Sequence, residues 1–356
     1  MLRLSPLYLI LGLGALAACA EDQTPTQPGS GPDVQPTTAV AEVLASNTWT
    51  TKAAPPDFAF TNQASYGVMP DANGKPVAYQ LGGRDDDGGS GASVFEYRIS
   101  TNTWSFRHLD PRIYSFNTNG VARIGNLLYV SGGDSFSGGS FFIDGTFWAY
   151  NPVTDVLTQK PTPPKLTSEG VSGVISGLLY VLPARCSSDF YPNAGYCETE
   201  PFRRLFRYNP STNKWATKKS APHVHTLGAG GVINGKFYVA GGSLSNVLDR
   251  YDPATDSWTT LAPIPVKGGD GVGVQGAVLQ GKLFVAASHY DGTLGKYVYD
   301  AFSYDPATNK WTRKAAPKYG HSDIVAITWG GKPFLLGLGG MDFSPLVQHP
   351  AEIYAP

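Results

Sequence analysis

The chain has 356 residues, with 42 Gly, 28 Pro and only 15% charged residues. Gly and Pro together make about a fifth of it, below the level of low-complexity chains, and 12% aromatic content excludes a disordered chain. A net charge of −1 gives no electrostatic case for a nucleic-acid or anionic-membrane surface. Abundant turn formers with abundant aromatics predict an all-β protein, because Gly and Pro cost about 1 and 3 kcal/mol in a helix interior.

Residues 1–18 read as an export signal. Arg3 supplies the positive start, and Leu7 to Ala18 form an apolar run shorter than the roughly 20 residues of a membrane-spanning helix. The run ends in Leu16-Ala17-Ala18-Cys19, which resembles the lipobox of bacterial lipoproteins. That resemblance implies lipid on Cys19 and membrane anchoring. Ala20 after the Cys resembles the outer-membrane sorting pattern. The alternative is an ordinary signal peptide. Residues 19–41 are rich in Pro, Thr, Gln and Gly and lack aromatics, which predicts a tether that holds the folded part, 42–356, away from the bilayer. The remaining cysteines, Cys186 and Cys197, are expected to form a disulfide in an exported protein; two free thiols are the alternative.

From residue 94 onward one pattern returns. Val94 to Trp104, Leu205 to Trp215, Leu248 to Trp258 and Ala301 to Trp311 each hold an apolar run, a Tyr, a turn and a Trp seven residues after the Tyr. Tyr150 has Leu157 in the Trp place. Asx-Pro-x-Thr is turn chemistry, so each copy predicts two strands joined tightly. Upstream lie second hairpins that end in glycine pairs at 82, 132, 241 and 339. Leu182-Pro183 and Ala286-Ala287 occupy the same place in the other two repeats. The mean spacing of these six positions is about 51 residues, near the kelch period of about 50.

With the double glycine, the Tyr and the spaced Trp, the chain resembles a kelch-repeat protein over most of 42–356. The resemblance implies a β-propeller of four-stranded blades around a channel. Six blades are expected. The last repeat reaches Tyr354 without a Trp, while Ser46 to Pro55 matches the missing piece around Trp311, so the Trp49 strand should complete the last blade and close the ring. An open or seven-bladed ring is the alternative.

Kelch architecture places the loops after the glycine pairs and those between blades on one face. Binding candidates there are Arg84, Arg112, Asp134, Arg185, His225, Asp270, His289 and His321, groups able to hydrogen-bond a glycan or clamp an anionic sugar. Asp85-Asp86-Asp87 lacks the spacing of a calcium loop. His223 and His225 share one side of a strand entry, and no carboxylate sits at a ligand spacing beside them in sequence, so no metal and no cofactor is expected. Galactose oxidase also carries kelch blades. It uses a crosslinked Cys, and both free-standing cysteines here are expected to be paired, so copper chemistry is not expected. The sequence leads to a monomeric envelope lipoprotein whose loops bind a glycan or an envelope protein, with no nucleic acid. The alternative is a carbohydrate-active enzyme such as a sialic acid mutarotase or epimerase, with Glu169 and His225 as candidate acid and base.

Overall fold

The computed structural model describes residues 44–56, 59, 63–84, 93–110, 112, 117–137, 140–143, 145–184, 202–242, 245–266, 271–291, 293, 296–343 and 346–356. Cys19, Arg185, Cys186, Cys197, Asp270 and the Asp85–Asp87 run lie outside the described residues, as do the signal and tether.

Six four-stranded antiparallel sheets form six blades. Their inner strands are Ser65–Pro70, Val121–Ile124, Val171–Ile175, Ala229–Ile233, Gly271–Leu279 and Asp323–Trp329. Each inner strand contacts the next, and the ring returns from Asp323–Trp329 to Ser65–Pro70. The sixth blade is completed by Thr48–Thr51, which pairs with Glu352–Ala355 in the register Trp49 with Tyr354. The expected closure is therefore present. Two short hairpins, Asp134–Ser137 with Ser140–Ile143 and Met341–Phe343 with Leu346–Gln348, stand after glycine pairs.

Glycine pairs end the second strand where they occur. Gly132 and Gly133 have φ of 60° and 122°, a region that favours glycine. A Cβ on Gly132 would also strike the Thr167 carbonyl of the next blade. Where Ala286-Ala287 replaces the pair, the strand does not turn: Lys282–Asp291 runs straight on and pairs with Lys296–Asp305.

Six apolar clusters fill the six seams between blades. The repeated Tyr residues are their centre: Tyr97, Tyr150, Tyr208, Tyr251, Tyr304 and Tyr354 are all at most 1% exposed. Each hydroxyl donates to an Asx side chain in its own blade's turn, as in Tyr97 to Asn102 at 2.7 Å and Tyr251 to Asp256 at 2.6 Å. These Asx residues sit at positive φ, 49° for Asp256 and 56° for Asn102, which Asn and Asp tolerate better than most residues. The same Asx oxygen accepts a backbone N–H from the preceding blade: Ala53 to Asn102, Lys219 to Asp256, Ala262 to Asn309 and Ala315 to Asn47, at 2.8–3.1 Å. The Trp Nε1 then donates to the carbonyl of that same residue: Trp104 to Ala53, Trp258 to Lys219, Trp311 to Ala262 and Trp49 to Ala315. Ala53, Lys219, Ala262 and Ala315, one residue on each of four blades, are thus gripped by both backbone groups.

The seam between blades one and two differs. Leu157 stands in the Trp place, and Asp155 instead meets Arg107 Nε at 3.3 Å and His108 Nδ1 at 3.1 Å. Arg107 also pairs with Glu96, which pairs with Arg98. Charge contacts replace the aromatic grip here.

Removing residues 45–53 deletes the outer strand of blade six and the Ala53 grip on blade one together. The melting temperature should fall sharply; an unchanged thermal melt would reject the closure.

Candidate functional site

The inner strands surround a central cavity of about 1150 Å³. Its mouth lies where the inner strands begin, on the face that gathers the between-blade loops. Four residues just before the inner strands take the left-handed conformation: Gln63, Asn117, Glu169 and Leu227, with φ of 49–56°. Non-glycine residues adopt this region rarely and at a cost of order 1–3 kcal/mol. What holds them is a belt of hydrogen bonds from blade to blade. Asn117 N donates to Gln63 O at 3.0 Å, Glu169 N to Asn117 O at 2.8 Å, Leu227 N to Glu169 O at 3.1 Å and Val274 N to Leu227 O at 3.0 Å. Gln63 N donates to Ser322 Oγ at 2.9 Å, bringing blade six into the belt.

All four belt residues line the cavity. Arg84 reaches Gln63 Oε1 at 3.4 Å, and Asn117 Nδ2 donates to the buried Asp134 at 3.2 Å. Arg84, Asp134 and Glu169 therefore stand together around the part of the mouth built by blades one to three. The wall mixes glycines and small apolar residues with neutral polar ones, Ser65, Thr118, Ser172 and Ser288 among them, and it includes the ionisable Arg123, Glu169, Lys318 and Asp323.

Other sequence candidates lie elsewhere. Arg112 is held by Asp110 through Nε at 2.8 Å and Nη2 at 2.7 Å, with its guanidinium 5.7 Å from the Trp148 ring centre, at the seam of blades one and two. Hydrogen bonds from Arg112 hold the Asp110 carboxyl below the usual range, although burial opposes this. His225 is buried. Its Nδ1 lies 2.8 Å from the Gly241 carbonyl and its Nε2 lies 3.1 Å from Asp249 Oδ2. Both nitrogens face acceptors inside the protein, so His225 is not assembled with Glu169 as an acid–base pair. His289 lies in the strand Lys282–Asp291, opposite Gly271 and Val298.

His321 lines the cavity, but its Nε2 lies 3.0 Å from the buried Glu352. It stands on blade six, apart from His223 and His225 on the entry to blade four. Among the described residues, no group of three or more His, Cys, Asp or Glu is placed to hold a metal ion.

Asp249 is the carboxylate that the sequence reading found missing beside the two histidines. It lies 24 residues downstream, fully buried, and meets His223 Nδ1 at 2.9 Å, His225 Nε2 at 3.1 Å and the Thr260 hydroxyl at 2.8 Å. Burial alone would raise its pKa, yet these hydrogen bonds hold it below the ordinary value. Asp249 and Glu352 occupy equivalent places, two residues before the blade Tyr. The other four blades have Phe95, Trp148, Phe206 and Phe302 there. That exchange of aromatic for acid was visible in the repeats.

Sequence reading also missed Asp323, at the start of the sixth inner strand and on the cavity wall. Its Oδ2 accepts from the Tyr66 N–H of blade one at 3.2 Å. Burial pushes its pKa up to about 7, against the lowering effect of the Tyr66 and Ile324 N–H groups.

Comparison with known proteins agrees with this architecture. The Kelch motif family model matches residues 227–265. Kelch-like protein terF of Aspergillus terreus is 26% identical over 275 residues, covering 72% of this chain and 57% of that protein. Kelch-like protein 21 of Mus musculus is 28% identical over 325 residues, covering 77% of this chain and 51% of that protein. The chain thus spans a little over half the length of these relatives. A solved structure titled "Structure of YjhT" superimposes with a TM-score of 0.66 at 17% identity, covering 84% of this chain and 95% of that one, and shares the fold. The chain is a six-bladed propeller built from kelch repeats.

An acid with a raised native pKa keeps a proton that the unfolded chain has released, so stability falls as pH rises from about 4, the unfolded value, to about 7. Asp323→Asn keeps an acceptor for Tyr66 without that titration. Its melting temperature should match the wild type near pH 4 and exceed it near pH 8; equal melts at both would reject the titration.

Proposed function

We propose that this propeller is a glycan-binding protein of the cell envelope, lipid-anchored through Cys19, with its binding site at the channel mouth. The observation that carries this reading is the cavity of about 1150 Å³, whose wall sets neutral hydroxyl and amide side chains among glycines and small apolar residues. Amide and hydroxyl groups match sugar hydroxyls in donors and acceptors. The volume exceeds the usual range of about 300–1,000 Å³ for small-ligand pockets, so it has room for more than one sugar unit. The belt prepays the ordering of the wall, since strained backbone held by its surroundings is a mark of functional sites. Kelch propeller architecture supports ligand or protein binding in general; the choice of glycan comes from the wall chemistry, since fold does not settle function. Glycan-array screening of the full chain should give binding that Asn117→Ala weakens. Absence of any glycan hit would reject the reading.

One observation favours an enzyme instead. Asp323, with its pKa near 7, has the property of a group that exchanges protons at neutral pH. In this reading the chain is a sugar mutarotase or epimerase. NMR exchange spectroscopy on sugar anomers should then show acceleration by the wild type and its loss in Asp323→Asn. Exchange no faster than in buffer would sink the enzyme reading.

A further inference from the structure

The entry loop of blade six is braced in a way that four other blades lack. In place of the usual aromatic, blade six has Glu352, whose Oε2 accepts from the backbone N–H of Lys318 and of Tyr319, both at 3.1 Å, and lies 3.0 Å from His321 Nε2. A buried carboxylate with several donors is a costly device unless those donors must be fixed. What it fixes is the segment that carries Tyr319 to the cavity wall.

An aromatic corner results. The Tyr319 and His349 rings lie 5.4 Å apart, tilted by 38°. His349 Nδ1 donates to the Gly320 carbonyl at 2.6 Å, and its backbone N–H donates to Gly340 O at 2.9 Å. Tyr299 closes the corner: a Cβ on Gly320 would strike its hydroxyl, and a Cβ on Gly340 would strike the Gly320 carbonyl. Tyr319 is half-buried, so its ring stays reachable. Gln63 and Asn117 belong to the wall built by blades one and two, and Glu169 to that of blade three.

We infer that Tyr319, with Tyr299 and His349, forms a subsite that stacks the ring of a neutral sugar, while the belt residue Gln63, whose backbone N–H bonds Ser322 of the same entry loop at 2.9 Å, reads its hydroxyls. This rests on the glycan-binding reading of the channel and adds to it a ligand class and an orientation. Sugar C–H faces pack on aromatic rings, and amide groups supply paired donors and acceptors. Lys318 of the same loop is exposed, its ammonium 4.9 Å from the Tyr319 ring centre.

The test uses the full chain, calorimetry and saturation-transfer NMR. The probes are the methyl glycosides of glucose, galactose, mannose and N-acetylglucosamine, with N-acetylneuraminic acid as the anionic comparator. At least one neutral glycoside should bind, with its ring protons most strongly saturated. Tyr319→Ala should weaken it about ten-fold and Tyr319→Phe should leave it near wild type, with both variants melting like the parent. If Asn117→Ala weakens binding and Tyr319→Ala does not, the subsite is overturned and the channel reading stands. If the acid alone binds, the neutral class is overturned. If a glycoside binds and neither substitution matters, both the subsite and the channel reading fail, and binding of none of the probes overturns the neutral-sugar subsite.

Discussion

In four of the six blades a single oxygen of an Asn or Asp side chain holds the blade to its neighbour. In blades one, four, five and six it accepts the blade's own Tyr hydroxyl and a backbone N–H of the preceding blade. The Trp two residues later takes that neighbour's carbonyl. Each such bond contributes about 1 kcal/mol net, but leaving a buried Tyr hydroxyl or Trp N–H without a partner costs more. The grip therefore fixes where the blades sit about the axis, while the apolar clusters supply most of the attraction. Blade three keeps half of it. Trp215 donates to the Pro161 carbonyl, and Pro161 has no N–H to return to Asn213.

The site depends on that outer fixation. The belt at the mouth joins strained residues on separate blades, and hydrogen bonds of 2.8–3.1 Å between them require blades placed to within a few tenths of an ångström. Two blades add a second device. Asp249 and Glu352 draw the entry loops of blades four and six onto a buried carboxylate, where the other four blades pack an aromatic. The channel wall is shaped by these acids without being lined by them.

The fold was legible because its causes are local and repeated. Tyr-to-Trp spacing, Asx turns and glycine pairs return every fifty residues, and Trp49 matched the Trp missing after Tyr354. Even the exceptions had local readings: Leu157 for Trp marks the seam where Arg107 and His108 meet Asp155. The site was less legible because its groups are brought together by closure of the ring. His225 looked like an acid–base candidate until Asp249 and the Gly241 carbonyl occupied its ring. Arg112 looked like a ligand clamp, and its partner is Asp110, two residues away. Asp323 carries no local motif; its raised pKa comes from burial against blade one. Glu169 and Asp134 reached the mouth because position before an inner strand, or after a glycine pair, is itself local.

The short segment around Trp49 serves two neighbours at once. Asn47 and Trp49 grip Ala315 of blade five, while Ala53, four residues on, is gripped by Asn102 and Trp104 of blade one. The Trp49 bond joins residues 266 apart in sequence, and the Ser46 hydroxyl bonds Pro356 O across 310. Bringing such distant parts together has a chain-entropy cost of about 5 kcal/mol in the simple loop model, before any contact is gained. Blades one to five can pair all their strands within themselves, but blade six lacks its outer strand until Thr48–Thr51 reaches Glu352–Ala355. Folding of this ring should therefore be slow and all-or-none in its last step, with the search for one encounter setting the rate.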